Sequence, residues 1–330
     1  MATATEPTMV PGYRHLPGNH CGSTALRNLL GFHGIELSEE MAFGLGAGAC
    51  FYYVVLEEAS PTRWFNGRAA RLEENFRELT GAALRMRTFE STEEAWSAAR
   101  ERIEGGQPAL LLTDLYYLDH YGRSAHFPGH AVVLAGYDAD VAYLSDTAFE
   151  ELQTTRLDSL ARARHSEHPA YPLQGHMFTV ADDLDPAALA EAIPAAVARA
   201  AREMLEPSLG EFAGLPAARR LAAESQAWPE QADDWQWCAR FAYQVIERRG
   251  TGGGNFRPMY SRFLAEAGFA DQVPLASAAG GRWSELAQAF FAASEHQRPE
   301  PELWSRIGEA AHRCADAEER LWEALADATA

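Results

Sequence analysis

The stretch GNHCGSTALRNLL, residues 18–30, sets one cysteine directly before an apolar helical repeat. A thiolate at that position is favoured by the helix dipole and by the backbone N–H groups of the first turn. The same N–H groups can hold the oxyanion of a tetrahedral intermediate. Gly22 has no side chain to keep a carbonyl away from the backbone. The chemistry this suggests is nucleophilic attack by Cys21 on an acyl group. A free cysteine is also among the residue types most often simply packed inside a protein, so Cys21 alone decides nothing.

A cysteine nucleophile needs a base, and the chain offers eleven histidines. Spacing selects among them. Residues 127–146, FPGHAVVLAGYDADVAYLSD, read as a β-hairpin with a tight turn at Asp138–Asp140. Folding the hairpin about Ala139 sets His130 opposite roughly residues 147–149, so His130 and Asp146 share one end. At about 3.3 Å per residue, Asp138 and Asp140 lie on the order of 25 Å away. The arrangement predicts Cys21 as nucleophile, His130 as base and acid, and Asp146 as the carboxylate that orients the imidazole. The plain structural alternative is a polar strand-edge His and a turn Asp. His126 is the rival base; it falls in the loop before the strand and ranks second.

Helical and strand-like segments alternate up to about residue 182. A helix following Cys21 ends near Gly31–Gly34, and helical spacing also marks 67–81 and 92–106. Strands are expected at 50–58, 108–118, 130–138, 141–146 and 176–180. From about residue 185 the sequence is Ala-rich and helical. The fold class is therefore α+β, with a catalytic domain at 1–182 and an all-helical domain at 183–330 that would serve as lid and acceptor site.

Early placement of a Cys on a helix, followed by GHAVVLAGYD and YLSD, resembles the papain-like fold of peptidases that cleave double-glycine leaders. More closely, HCGSTALRNLL with LSEEMAFGLGAGACFYY (37–53) is similar to the N-terminal domain of the butirosin-type acyltransferase family. The segment IERRGTGGGNFRPMYSRFLAEA (246–267) resembles that family's helical C-terminal region. The resemblance implies a papain-like domain with an antiparallel sheet. It implies transfer of an acyl group from a carrier-protein or small thioester to an amine of a small natural product, through an acyl-cysteine at Cys21 with His130 and Asp146. Alternatives with the same triad are a cysteine hydrolase (peptidase, amidase or thioesterase) and an intramolecular cyclase; a non-catalytic binding module is the further one. Papain-like enzymes carry a Gln shortly before the nucleophile to donate to the oxyanion. His15 stands at that position here, so the support of the oxyanion is expected from the Cys21 backbone, Gly22, and Asn19 or His15.

The net charge of −19 disfavours generic nucleic-acid or anionic-membrane partners. It suits a polycationic amine acceptor. All 28 basic residues are Arg, so no lysine nucleophile or Schiff base is available. A docked acyl carrier protein would need an Arg patch, for which Arg63, Arg68 and Arg71 are candidates. No resident cofactor is expected; the donor is itself the thioester, phosphopantetheine-linked in the carrier-bound case. The loop RGTGGGNFR (249–257) lacks the Gly-Lys-Ser/Thr of a phosphate loop. Gly252, Gly253 and Arg257 are nonetheless candidate substrate contacts, as is His126. Gly44, Gly46 and Gly48 precede a strand and read as a turn. Cys50, Cys238 and Cys314 read as core thiols, and no His spacing suggests a metal. Neither a signal peptide nor a membrane span is read, and the dispersed cysteines fit a reducing cytoplasm. Oligomeric state stays open.

Overall fold

A computed structural model describes residues 6–330 except 82, 123, 124, 170 and 183. Residues 1–5 and residue 183, where the helical domain was expected to start, lie outside the described residues. The elements run β1 (Thr8–Met9), α1 (Cys21–Phe32), α2 (Glu39–Leu45), β2 (Ala49–Val55), β3 (Arg63–Arg68), α3 (Leu72–Leu79), β4 (Leu84–Arg87) and α4 (Thr92–Glu104). They continue through β5 (Ala109–Asp114), β6 (Pro128–Tyr137), β7 (Val141–Ser145), β8 (Gln153–Arg156), α5 (Leu157–Arg164) and β9 (Met177–Val180). Helices α6 (Pro186–Glu191), α7 (Ile193–Leu205), α8 (Gly214–Glu224), α9 (Trp228–Gln231) and α10 (Trp235–Glu247) follow. Helices α11 (Arg257–Glu266), α12 (Val273–Ser294) and α13 (Pro301–Ala328) complete the chain. The expected α+β class holds, with an antiparallel sheet first and a helical region after it. Among the described residues, no helix is long and apolar enough to cross a membrane.

The chain forms two compact units: residues up to Ala42 with Phe76–Ala188, and Phe43–Asn75 with Leu189–Ala330. The division at 182/183 placed all of 43–75 with the catalytic domain; its contacts instead place it with the C-terminal helices. The helix expected over 67–81 is likewise the end of strand β3 followed by the shorter α3. Strands β1, β3, β4 and β8 are too short or too polar to have stood out in the sequence.

In the first unit the sheet runs β4-β9-β5-β6-β7-β8, with β1 added on β6. Every residue of β5 is buried, as are residues 130–136 of β6, so the central strands are covered on both faces. Ala95, Ala99, Ile103, Leu160 and Ala163 from α4 and α5 pack on Leu111, Val132, Leu134 and Leu144. Helix α1 packs against β5, β6 and β9. Its Ala25, Leu26, Leu29 and Leu30 are almost fully buried, the apolar stripe that holds the helix in place. The turn between β6 and β7 falls where expected: Asp138 N–H donates to Val141 O at 2.9 Å, and Val133 pairs with Ser145.

In the second unit, β2 and β3 form a hairpin, which is marginal alone and needs a packed face. Arg257 supplies its anchor. The guanidinium donates from Nη1 to Cys50 O (3.0 Å) and Gly67 O (2.9 Å), one carbonyl from each strand, and to Asn255 O (3.0 Å). Its Nε and Nη2 bind Glu318 of α13 at 2.8 and 2.9 Å. The same carboxylate accepts the indole N–H groups of Trp283 and Trp322, each at 2.6 Å. Arg257 and Glu318 are both fully buried. The GTGGGNF loop delivers Arg257 to this position with a backbone bent the left-handed way: Gly252, Gly253, Gly254, Asn255 and Phe256 all have positive φ. Glycine adopts that conformation without steric cost, which explains the run.

A buried ion pair that loses one member leaves an uncompensated charge in the core. Glu318→Ala should therefore lower the unfolding free energy by roughly 3–5 kcal/mol, read by urea denaturation. The double replacement Arg257→Met with Glu318→Leu should cost clearly less. A drop below about 1 kcal/mol for the single variant, the range of a surface pair, would remove this pair from its anchoring role.

Candidate active site

Cys21 is the first residue of α1, and His20 caps the helix by accepting Ser23 N–H on Nδ1 at 3.2 Å. The loop before Cys21 is held by Glu39, which opens α2. Its carboxylate accepts Asn19 N–H at 2.9 Å and His20 N–H at 2.7 Å. Cys21 is half-buried, whereas Cys50, Cys238 and Cys314 are buried. Burial pushes the thiols of those three up, well above the ordinary range for Cys314. They stay protonated and enclosed, as core thiols do.

The structure brings together Cys21, singled out by its helix start, and the two residues selected by the hairpin spacing. His130 Nε2 lies 3.1 Å from Asp146 Oδ1 and 3.0 Å from Oδ2, and a hydrogen bond joins the His130 ring to Cys21. With Nε2–H on the carboxylate, Nδ1 is the nitrogen left for Cys21. Cys21 and Asp146 stand at the two ends of this array, and residues around α1 grip the segment that carries Asp146. Gly18 N–H donates to Thr147 O at 3.1 Å, and Asn28 Nδ2 donates to Ser145 Oγ at 3.3 Å.

Electrostatics follow from this geometry. Burial by itself lowers the pKa of His130, but the Asp146 carboxylate and the hydrogen bonds to Asp146 and Cys21 push it up to about 10. Burial by itself raises Asp146, but the charge of His130 and the hydrogen bonds from His120 and His130 hold it well below the usual carboxylate range. At neutral pH the pair is imidazolium and carboxylate.

Two residues that sequence reasoning missed complete the site. His120 Nε2 lies 2.9 Å from Asp146 Oδ2, and Tyr121 donates its hydroxyl to Oδ1 at 3.1 Å. Burial and the adjacent carboxylate push the Tyr121 phenol up. Both sit in a single turn of 3-10 helix, Asp119–Tyr121, after β5. The only signal in the sequence was an Asp-His-Tyr run closed by Gly122. Glu39 was missed as well, since its role depends on a loop contact across α1.

Several expected contacts are corrected. His15 does not support an oxyanion: its Nε2–H donates to Phe149 O at 2.8 Å and its Nδ1 meets Ser145 Oγ at 2.7 Å, so both ring nitrogens are occupied. It is another tie between the α1 loop and the Asp146 segment. Asn19 is exposed beside Cys21, with Nδ2 at 3.3 Å from Glu39 Oε2. Gly22 is buried in the first turn of α1. His126 is not the partner of Cys21, because its Nδ1 binds the buried Asp114 at 2.7 Å and its ring stacks on Tyr116. Arg257 has no group left for a substrate, being saturated by Glu318 and backbone carbonyls in the second unit. Gly253 N–H is taken by Thr251 Oγ1 at 3.0 Å, while Gly252 is exposed in the same loop. Arg63 is buried, with Nη2 on Gln231 O at 3.1 Å, and so contributes nothing to a docking patch. Among the described residues, no group of three or more His, Cys, Asp or Glu is placed to hold a metal ion.

The His130–Asp146 pair makes stability depend on pH in a definite direction. A raised His stabilises fully below its unfolded value of about 6.5 and loses this as pH climbs toward 10. A depressed Asp stabilises above its unfolded value of about 3.9 and loses this on acidification. The stability gap between wild type and Asp146→Asn should therefore be widest between about pH 4 and 6.5 and narrow on either side. Denaturant titrations across pH measure it; a gap that widens from pH 7 to 10 would contradict the pairing.

Comparison with known proteins gives two matches, one N-terminal and one C-terminal. Residues 20–147 match the family described as Butirosin biosynthesis protein H, N-terminal, a span that contains Cys21, His120, His130 and Asp146. Residues 158–325, more than half the chain, match the family described as Domain of unknown function (DUF4872). A comparison with curated proteins found no match. The chain belongs to the family described as Domain of unknown function (DUF4872), and its residues 20–147 are similar to the N-terminal domain of butirosin biosynthesis protein H.

Proposed function

We propose that the protein is a cysteine-dependent acyltransferase of natural-product biosynthesis, moving an acyl group from a thioester to an amine through an acyl-cysteine. The observation that carries this reading is the linear order Cys21, His130, Asp146, with the cysteine opening a helix and the imidazole hydrogen-bonded between thiol and carboxylate. A helix-borne cysteine against an antiparallel sheet that supplies His and Asp is also how papain-like enzymes arrange these groups. Similarity of residues 20–147 to a family named for butirosin biosynthesis supports a biosynthetic setting over protein turnover.

The steps balance. The Cys21 thiolate, paired with the His130 imidazolium, attacks the thioester carbonyl carbon and forms a C–S bond. The carbonyl π electrons move to oxygen, and this oxyanion is met by N–H groups of the first turn of α1 and by Asn19. Collapse breaks the bond to the donor sulfur, which leaves with the proton from His130. Neutral His130 then takes a proton from the acceptor amine as its nitrogen attacks the acyl-cysteine. Collapse returns the Cys21 thiolate, and the products are an amide and a free thiol. Asp146 remains a carboxylate throughout and fixes which imidazole nitrogen faces the sulfur.

The donor is an acyl thioester, small or carrier-linked, and ATP has no part because the thioester is already activated. The acceptor is a primary amine on a cationic small molecule, which the acidic chain attracts.

Intact-mass spectrometry with a panel of acyl thioesters tests the reading. Wild type should gain one acyl mass, Cys21→Ala none, and a polyamine should discharge the adduct as an amide. Turnover in Cys21→Ala should fall about a thousandfold or more. No adduct from any thioester, or an adduct that persists in Cys21→Ala, would rule the mechanism out. Discharge only to the free acid would make the protein a hydrolase.

A further inference from the structure

Asp146 is fully buried, and four short contacts share its two oxygens. His130 Nε2 bisects them, at 3.1 Å from Oδ1 and 3.0 Å from Oδ2. Each oxygen then has one further donor: Tyr121 on Oδ1 and His120 on Oδ2. A carboxylate gripped on both oxygens cannot rotate about its Cβ–Cγ bond without breaking a buried hydrogen bond. His130 alone would leave that rotation open.

The His120 ring is held in turn. Because a carboxylate only accepts, Nε2 of His120 carries the proton. Nδ1 lies 3.1 Å from Thr155 Oγ1 on β8. With Nε2–H on Asp146, Nδ1 of His120 is the nitrogen left for the Thr155 hydroxyl. Its turn is fastened by Asp119, which accepts Arg156 N–H at 2.9 Å and the Ser159 hydroxyl at 3.0 Å. The ring also meets Phe149 edge-on and lies against Tyr121. The titratable groups around His120 are thus Asp146 and Tyr121, with His130 and Cys21 beyond the carboxylate and Asp119 behind.

We propose that His120 is a positioning residue: an imidazole fixed by Thr155, whose Nε2–H holds the Asp146 carboxylate in the one orientation that aims His130 at Cys21. What the aimed histidine accomplishes rests on the acyl-cysteine reading; the positioning itself rests on the contacts above.

Alkylation by iodoacetamide tests this without a substrate, because the other three cysteines are buried. In wild type the rate at Cys21 should already be high at pH 6–7, where an unassisted thiol of pKa about 8.5 is slow. His120→Ala should lower that rate about 10–100-fold and shift the profile toward that of an unassisted thiol. His120→Gln, which keeps a donor N–H, should recover most of the loss. Should the Ala variant not fold, Thr155→Val carries the test, with a smaller fall in rate in the same direction. NMR of nitrogen-15-labelled histidines gives an independent readout: His120 carrying a proton on Nε2 while His130 is doubly protonated at neutral pH. A wild-type alkylation profile in folded His120→Ala, equal losses in the Ala and Gln variants, or a His120 without a proton on Nε2 would each overturn the assignment. Alkylation that follows this pattern in a protein that forms no thioester adduct ends the acyl-transfer reading and leaves the positioning role intact.

Discussion

A carboxylate removed from water must be surrounded by donors, and each unit of this protein is organised around one such group. In the first unit it is Asp146, in the second Glu318, and both are fully buried. Each accepts from one cationic side chain and from two further donors. Glu318 takes Arg257, Trp283 and Trp322, and Asp146 takes His130, His120 and Tyr121. The geometries are alike, but the cations differ. Arginine does not release its proton in proteins, so the Glu318 cluster is permanent and holds the β2–β3 hairpin to the helices. Histidine does release its proton, so the Asp146 cluster can change charge while its frame stays fixed. That difference separates a structural hub from a chemical one.

How much of this was readable beforehand follows from the range of each contact. Cys21 was visible because a helix start has a local signature. His130 and Asp146 were visible because an antiparallel hairpin has its register set by its turn, and Val133 does pair with Ser145. His120, Tyr121 and Glu39 were not visible. Their roles depend on contacts that cross from one element to another, and no periodicity carries that information. Arg257 was noticed for the wrong reason. A glycine-rich loop ending in Arg reads as an anion cradle, yet its left-handed backbone here turns the guanidinium into the core. The segment 43–75 shows the same limit at the scale of domains. Its order in the chain suggests the catalytic domain, while the carbonyls of Cys50 and Gly67 are satisfied by Arg257.

His15 illustrates how a departure from a family pattern acquires a meaning. Where a papain-like enzyme places an oxyanion donor, this chain has an imidazole spent on Ser145 and Phe149. Together with Gly18 on Thr147 and Asn28 on Ser145, it holds the residues on either side of Asp146. The start of α1 and the end of β7 are thereby set in register. The distance between Cys21 and Asp146 is then a property of the backbone frame as much as of His130. The donors left at the cysteine are those of the helix start itself and of Asn19, whose backbone Glu39 holds in place.

In the proposed acyl-transfer reading, an imidazole held as a cation by Asp146 changes which half of the reaction is demanding. Attack by a Cys21 thiolate paired with it would need no proton transfer, and the stored proton would go to the departing sulfur. Acylation is therefore easy for any thioester that fits. Deacylation begins with His130 neutral beside a buried Asp146 that strongly favours recovering a proton. A neutral amine can provide one as it attacks; an ammonium ion has no lone pair with which to attack. The acidic chain that draws in cationic acceptors thus works against their reactive form, since a negative field holds protons on amines. In the acyl-transfer reading, selection of the acceptor becomes selection of an amine that loses its proton on entering the site. Desolvation supports that step, because leaving water disfavours the charged ammonium. An imidazole held by Asp146 is then the group that receives the second proton.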